Sequence, residues 1–417
     1  MIPTRLLLPA GVDAAVAPLL LGRALRGFAD GYVAVLLPAY LLTLGHGQLD
    51  VGVIGSATLA GSALATLAIG MIGHRWPQHM LLRAAALLMT ATGLAFAGLS
   101  TFWPLLLVAF VGTINPGSGD VSLFVPLEQA RLASAARGDA RTVLFARYSL
   151  TGVLSAAVGA LAAALPAWLS AHPGIALLDA LRAMFVLYAG IGAAVWWLYR
   201  DPWRGTRGTP GTPGATGAAR APAPLGPSRG IVVRLAALFS VDAFAGGLVV
   251  NSLMSLWLFE RFGLTLVQAG AFFFWTGLLS ASSQLAAPWV ARRIGLVNTM
   301  VFTHLPANVC LIAAAFATSL PLALTLLFVR SALSQMDVPT RSAFVMAVVT
   351  PAERTAAASF TAVPRSLASA AGPTLAGALL AGGWLAAPLV VCGALKIGYD
   401  LALWFAFRHH RASAHDE

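Results

Sequence analysis

Charged side chains recur inside long apolar stretches of this 417-residue chain. A charge in a membrane-spanning helix costs at least ~2.5–3.5 kcal/mol and is retained where it has a use. Arg26 and Asp30 are the first such residues, and their spacing of four positions places them on one helix face. A buried carboxyl changes its affinity for a proton when a neighbouring arginine moves away. The pair therefore suits either a proton-binding carboxyl at Asp30 or a static ion pair that fixes the helix.

A second set of charges occurs twice, at an offset of about 218 residues. Asp120 precedes Arg147, and Asp337 precedes Arg365 (365 − 147 = 218; 337 − 120 = 217). The simplest assignment joins Asp120 to Arg147 and Asp337 to Arg365. Each pair acts either as a gate, which closes in one conformation only, or as a static bridge between adjacent helices.

Several other charges lie in apolar stretches of the second half. Asp242 has no arginine four residues away on its own helix, which predicts an unpaired carboxyl that is neutral or binds a proton. Arg330 lies two turns before Asp337, and Arg341 lies one turn after it. Lys396 and Asp400 are four residues apart and share a helix face.

The same offset relates glycines and arginines outside these pairs. Matching residue types at a fixed offset indicate an internal duplication. The matched residues are Gly45 and Gly263, Gly52 and Gly270, Arg75 and Arg293, and Gly159 and Gly377.

The composition is typical of an integral membrane protein. Hydrophobic residues make up 59% of the chain and charged residues 10%, with a mean hydropathy of +0.82, whereas soluble domains carry about 25% charged residues. Twelve windows are long and apolar enough to span a bilayer as helices of ~20 residues. The predicted spans, one to twelve, are 24–44, 51–72, 80–100, 103–125, 143–165, 176–198, 235–259, 267–290, 299–317, 320–338, 356–381 and 386–407.

The net charge of +11 reports topology rather than nucleic-acid binding. With twelve spans, one membrane face receives nearly all loop arginines, and the opposite face receives little beyond Arg182 and Arg261. By the positive-inside rule, both termini are cytoplasmic in a bacterial inner membrane, and the arginines face anionic lipid headgroups. The arginines of this basic face are Arg75, Arg83, Arg131, Arg137, Arg141, Arg200, Arg204, Arg207, Arg220, Arg229, Arg234, Arg292, Arg293, Arg354, Arg408 and Arg411.

One segment breaks the membrane pattern. Residues 201–230 are rich in Pro, Gly, Thr and Ala, a composition that predicts a flexible cytoplasmic linker. The expected organisation is an N-terminal six-helix bundle over residues 1–200, the linker, and a C-terminal six-helix bundle over residues 231–417.

This organisation resembles the major facilitator superfamily. The family carries the motif Gly-x-x-x-Asp-Arg-x-Gly between helices two and three, and Gly70 and Arg75 match it here, with His74 in place of the Asp. The second half keeps Arg293 and Gly295 at the same offset. The resemblance implies an all-α fold of twelve transmembrane helices in two six-helix repeats, with helices one, four, seven and ten lining a central cavity and the motif loops contributing to gating.

The resemblance implies a secondary transporter that moves a small organic solute by alternating access, and the buried carboxylates favour coupling to protons. A facilitative uniporter and a non-transporting membrane sensor are the alternatives. Arg26, Arg147, Arg330 and Arg365 suit an anionic or zwitterionic solute. If aspartates neutralise all four, the cavity suits neutral amphipathic compounds.

Other function classes lack their motifs. No Gly-x-x-x-x-Gly-Lys loop is present, and the only lysine is Lys396, which excludes ATP-driven transport by this chain. No zinc-ligand spacing and no Gly-x-Ser-x-Gly elbow occur, so we expect no enzyme, no metal and no cofactor. Cys310 and Cys392 fall in predicted spans and are expected to be packing residues. We expect a monomer that contacts its solute, protons and lipids.

Overall fold

A computed structural model describes residues 16–72, 75–117, 122–136, 138–200, 226–350 and 353–408. Within these ranges the chain is helical and contains no strand, which confirms the all-α prediction. The described residues form sixteen helices: α1 (Ala17–Thr43), α2 (Gln48–Ile72), α3 (Gln78–Gly98), α4 (Phe102–Val111), α5 (Phe124–Ala135), α6 (Gly138–Ala162), α7 (Leu165–Ser170), α8 (Leu177–Leu198), α9 (Arg229–Gly247), α10 (Asn251–Phe262), α11 (Leu266–Ile294), α12 (Leu296–Ala315), α13 (Leu320–Ser334), α14 (Asp337–Val348), α15 (Arg354–Ala381) and α16 (Ala387–Phe407).

Each predicted span corresponds to one helix or to an interrupted one. Span four is divided into α4 and α5, span seven into α9 and α10, and span ten into α13 and α14, while the short α7 follows α6 in span five. Pro116 and Gly117 lie at the first interruption. They interrupt the helix because proline lacks an amide donor and glycine is a poor helix former. Gly246 and Gly247 end α9 before the second interruption.

Among the described residues, eight helical stretches are long and apolar enough to cross a membrane by length and composition. Of the other four predicted spans, two are the interrupted spans four and ten. The remaining two are α11 and α15, which are 29 and 28 residues long and therefore exceed the ~20 residues that a bilayer requires.

Repeated glycines end equivalent helices. Gly45 has φ +90° after α1, and Gly263 has φ +63° after α10. A residue with positive φ commonly terminates a helix, and glycine adopts it without steric cost. Gly295, with φ +85°, separates α11 from α12 in the same way. Three of the glycines that the motif and the offset single out, Gly45, Gly263 and Gly295, thus have a positive φ that favours glycine.

The chain divides by contact into two units. The first contains the described residues of Met1–Thr209 together with Val250–Gly277, and the second contains those of Pro210–Val249 and Leu278–Glu417. The contacts of α10 and of the start of α11 therefore lie in the first unit, although these elements follow the linker in the chain. Of the predicted linker, residues 201–225 lie outside the described part, and the predicted domain division stays a prediction.

Glycines allow close helix packing inside each unit. In the first unit, a Cβ at Gly31 of α1 would strike the Ala156 carbonyl of α6, and one at Gly159 of α6 would strike the Phe28 carbonyl of α1. Small residues at helix contacts are typical of membrane proteins because they let backbones approach closely.

The second unit repeats this arrangement in α9 and α15. A Cβ at Gly372 of α15 would lie 2.6 Å from the Gly247 Cα of α9. Since α1 and α6 are spans one and five, and α9 and α15 are spans seven and eleven, the same helix pair packs on glycine in both halves.

Candidate functional site

Glu128 is the centre of a buried cluster in the first unit. The interruption after α4 starts a new helix at Phe124, and this helix carries Glu128 into the interior, where it is 0% exposed. Arg26 Nη2 donates to Glu128 Oε2 at 2.5 Å. The hydroxyls of Tyr148 and Tyr199 donate to Oε2 and Oε1, each at 2.5 Å. One carboxylate thus accepts bonds from three helices, α1, α6 and the end of α8.

The static Arg26–Asp30 ion pair, weighed as an alternative, is wrong. The Arg26 guanidinium bonds Glu128, 102 positions away in the chain, and its Nε donates to the Gly22 carbonyl at 3.2 Å. Helix spacing identified the shared face correctly but not the partner, because Glu128 lies three residues beyond the predicted end of span four. The position of Glu128 just after the apolar window of span four was the one sequence feature that could have indicated it as the partner.

Aromatic rings complete the surroundings of the two arginines on α1. The Arg26 guanidinium carbon lies 3.9 Å from the centre of the Phe124 ring, and that of Arg23 lies 5.2 Å from the Tyr148 ring centre. Guanidinium groups are attracted to the faces of aromatic rings, most strongly where water is excluded. Both arginines are buried, so the rings and Glu128 help to replace their lost hydration.

Asp30 lies one turn beyond Arg26 and is half-buried. Among the described residues it has neither a hydrogen bond nor an ion pair within 4.0 Å. Its role as the proton-binding carboxyl stays a prediction, and its surroundings are those of an available carboxyl rather than of a bridge.

The predicted Asp120–Arg147 pair is described at one end only. Arg147 is half-buried on α6 and has interaction partners. Asp120 lies outside the described residues, so this pairing stays a prediction.

Asp242 is paired, and the prediction of an unpaired carboxyl is wrong. Lys396 Nζ donates to Asp242 Oδ1 at 2.6 Å, and Arg341 Nη1 lies 3.5 Å from Oδ2. All three side chains are buried. The prediction failed because it considered one helix only, whereas the partners come from α16 and α14.

Asp337 binds Arg341 rather than Arg365, so the predicted Asp337–Arg365 pair is wrong. The interruption of span ten makes Asp337 the first residue of α14, and Arg341 follows one turn later on the same face and forms an ion pair with it. Arg365 on α15 is exposed and has no ion pair with a described carboxylate.

His304 and Asn308 bind another buried carboxylate, that of Asp400. His304 Nδ1 lies 2.9 Å from Asp400 Oδ1, and Asn308 Nδ2 donates to Oδ2 at 3.2 Å. Asp400 is 0% exposed. Lys396 and Asp400 therefore bind different partners, although they share a face of α16.

Arg330 differs from these residues. It is half-buried on α13, and its Nε is buried without a hydrogen-bond partner. Within the described residues it also lacks an ion pair. Arg330 and Arg365 therefore have no ion pair with a described carboxylate. In contrast, Arg26 is paired with Glu128, and Arg147 has interaction partners.

The loop-motif residues lie at helix ends. Gly70 is exposed near the end of α2 with open space around it, and Arg75 is exposed. Arg293 is exposed, with its guanidinium carbon 4.4 Å from the centre of the Trp289 ring. Gly295 supplies a positive φ. Neither arginine forms an ion pair with a described carboxylate, and His74 lies outside the described part.

Known proteins share this sequence pattern and fold. The sequence model of the Major Facilitator Superfamily matches residues 19–334. An uncharacterized membrane protein of Saccharomyces cerevisiae is 24% identical over 406 residues, which is 91% of each chain.

Solved structures of transporters align over nearly the whole chain. The nucleoside transporter NupG is 14% identical, with a TM-score of 0.69 over 95% of this chain and 99% of that one. A bacterial homologue of the human lysosomal transporter Spinster, in an inward-facing and occupied conformation, is 16% identical, with a TM-score of 0.71 over 94% and 96%. The human organic anion transporter MFSD10 is 19% identical, with a TM-score of 0.64 over 93% and 98%. At these identities the likeness establishes the fold.

Proposed function

The chain belongs to the major facilitator superfamily and is a membrane transporter; on this premise we propose that it is a secondary active transporter that moves a small organic solute by alternating access and is driven by protons. Protonation of a carboxyl in the first unit accompanies each cycle of alternating access.

The half-buried Asp30 carboxyl carries the proposal of proton coupling. It lies within a 27-residue apolar helix and lacks an ion-pair partner among the described residues. In a medium of low dielectric an unpaired carboxyl favours the neutral, protonated form, and access to water favours the charged form. Alternate exposure of Asp30 to the two sides would therefore take up a proton on one side and release it on the other.

The interrupted helices support a central site. In this family spans one, four, seven and ten line the cavity, and three of these four are interrupted here. Non-helical backbone at membrane depth is tolerated where protein or water satisfies its polar groups, and interrupted helices frequently form substrate sites in transporters.

A growth screen of a deletion strain against toxic compounds and nutrients first identifies the solute. Uptake into proteoliposomes is then measured with and without an imposed pH gradient. We expect accumulation above equilibrium only with the gradient. Equilibration that ignores the gradient would identify a facilitative uniporter, and no flux of any solute that affects growth would favour a non-transporting sensor.

The basic loops support a location in the bacterial inner membrane with both termini in the cytoplasm. A green fluorescent protein fused after residue 417 should fluoresce, and alkaline phosphatase fused there should be inactive. The opposite pair of results would invert the proposed topology.

A further inference from the structure

Helix α15 exposes two faces of opposite character. Phe360, Pro364, Leu367, Ala371 and Leu375 are exposed and follow one another at intervals of three or four residues, so they form one apolar face. The opposite face contains the exposed Ala362 and Arg365 and the half-buried Ser369, which follow the same spacing.

Only one of these faces suits lipid. Arg365 lies eleven residues after the start of α15 at Arg354, which is about 16 Å along the helix axis and near the middle of a hydrocarbon core of about 30 Å. A charged side chain at that depth faces a water-filled cavity or the protein interior, because contact with lipid tails is costly. The apolar face therefore contacts lipid, and the Arg365 face lines a water-filled space.

The charges near Arg365 are paired without it. Arg365 forms no ion pair with a described carboxylate, and the nearest turns of the neighbouring helices carry an ion-paired cluster on α9, α14 and α16. The cluster holds the carboxylates of Asp242 and Asp337 and the cations Arg341 and Lys396. Its charges therefore balance without Arg365. Arg341 and Lys396 already occupy the two carboxylates, and Arg365 is the cation that remains without one.

We propose that Arg365 binds the anionic group of the transported solute and that the solute is an organic anion such as a carboxylate. A single negative charge on the solute neutralises Arg365. The planar guanidinium of Arg365 presents paired N–H donors that match the two oxygens of a carboxylate. This inference rests on the proposed transport function and adds the substrate class to it.

Thiol labelling tests the site without knowledge of the solute. In a protein whose Cys310 and Cys392 are replaced by Ser, Ala362→Cys places a thiol one turn from Arg365, and Ala371→Cys is the matched control on the apolar face. Each variant in lipid nanodiscs is reacted with an anionic reagent (sulfonatoethyl methanethiosulfonate) and a cationic one (trimethylammonioethyl methanethiosulfonate). Rates are divided by those with free β-mercaptoethanol.

We expect Ala362→Cys to react with both reagents. Its normalised rate with the anionic reagent should exceed that with the cationic reagent by about fivefold or more, because a unit positive charge lies within ~8 Å in a water-filled space. Adding Arg365→Gln should remove this preference, whereas Arg293→Gln, at an exposed arginine stacked on a tryptophan, should retain it. Ala371→Cys should react with neither reagent.

An unreactive thiol at position 362, or equal normalised rates with the two reagents, would overturn the anion site. The outcome is separable from that of the transport assay. If the thiol prefers the anionic reagent but the protein shows no flux, the anion site is supported and the transport proposal is contradicted. If the protein transports a solute and the KM for that solute is unchanged in Arg365→Gln, transport is supported and the anion site is contradicted.

Discussion

Asp30 and Asp242 show how the partner of a buried carboxylate determines its role. Asp242 has two cationic neighbours, Lys396 and Arg341, and these stabilise its charged form. Asp30 has no ion pair among the described residues, since Arg26 of the same helix is held by Glu128. We therefore keep Asp30, and not Asp242, as the proposed proton acceptor.

Asp30→Asn should abolish accumulation driven by a pH gradient and preserve exchange of solute, because the amide resembles a permanently protonated acid. Both activities are measured in proteoliposomes. Asp179→Asn is the control, since that side chain is 66% exposed at the start of α8, and it should transport like the wild type. Undiminished accumulation by Asp30→Asn would make Asp30 structural.

Glu128→Gln should destabilise the first unit by about 3–5 kcal/mol, because it leaves the buried Arg26 guanidinium without a counter-charge. The unfolding temperature in detergent measures the loss. The double variant Arg26→Gln/Glu128→Gln removes both charges and should recover most of the stability. If the two single effects simply add in the double variant, the residues are not coupled.

Glu353 gives a dependence of stability on pH outside the spans. Hydrogen bonds from the Ser228 hydroxyl, the Gly226 amide and the Thr350 hydroxyl hold the pKa of Glu353 below its usual range. A lowered folded-state pKa stabilises the protein above the unfolded pKa of ~4.3 and loses this effect as the pH falls. Glu353→Gln should therefore lower the unfolding temperature at pH 7 more than at pH 4. An equal loss at both pH values would contradict this linkage.

At the scale of elements, glycine controls which helices pack. The α1–α6 contact leaves no room for a side chain at Gly31, whereas Gly190 on α8 has nothing within 4 Å of its Cβ position. Gly31→Ala should lower stability by about 1–3 kcal/mol through overpacking. Gly190→Ala should be neutral or stabilise by up to ~1 kcal/mol through helix propensity. Thermal unfolding compares the two, and equal effects would mean that α1 and α6 do not pack tightly.

Local sequence rules predicted elements well and partners poorly. The 218-residue offset located Gly45 and Gly263, which end helices with positive φ, because that requirement is local to the backbone. The pairing of Asp242 with Lys396 joins α9 to α16, and no spacing along one helix reports it. The interruption between α9 and α10 was also missed, since the span contains glycines but no proline.

At the scale of the molecule, two interrupted spans meet through their backbones. The Ser252 amide, in the first turn of α10, donates to the Pro116 carbonyl at 3.0 Å. The first amides of a helix have no partner within that helix, and an interruption leaves carbonyls without one. The amide at the start of α10 therefore bonds a carbonyl at the interruption after α4. This bond helps to explain why α10 associates with the first unit although it follows the linker in the chain.

The start of α11 makes a similar contact with α6. A Cβ at Gly270 would lie 2.5 Å from the Ala160 carbonyl oxygen, and one at Gly277 would lie 2.8 Å from the Ala157 Cβ. Such close packing depends on small residues. If alternating access requires these helices to separate, holding them together must stop the transport cycle.

Ala157→Cys combined with Gly277→Cys should form a disulfide after a shift of about 1 Å, because disulfides have Cβ–Cβ distances of roughly 3.5–4.5 Å. With Cys310 and Cys392 replaced by Ser, oxidation should block net transport in proteoliposomes, and dithiothreitol should restore it. Each single cysteine variant should be insensitive to both treatments. Full transport by the cross-linked protein would mean that α6 and α11 stay together throughout the cycle, and the moving boundary would then lie elsewhere along α11.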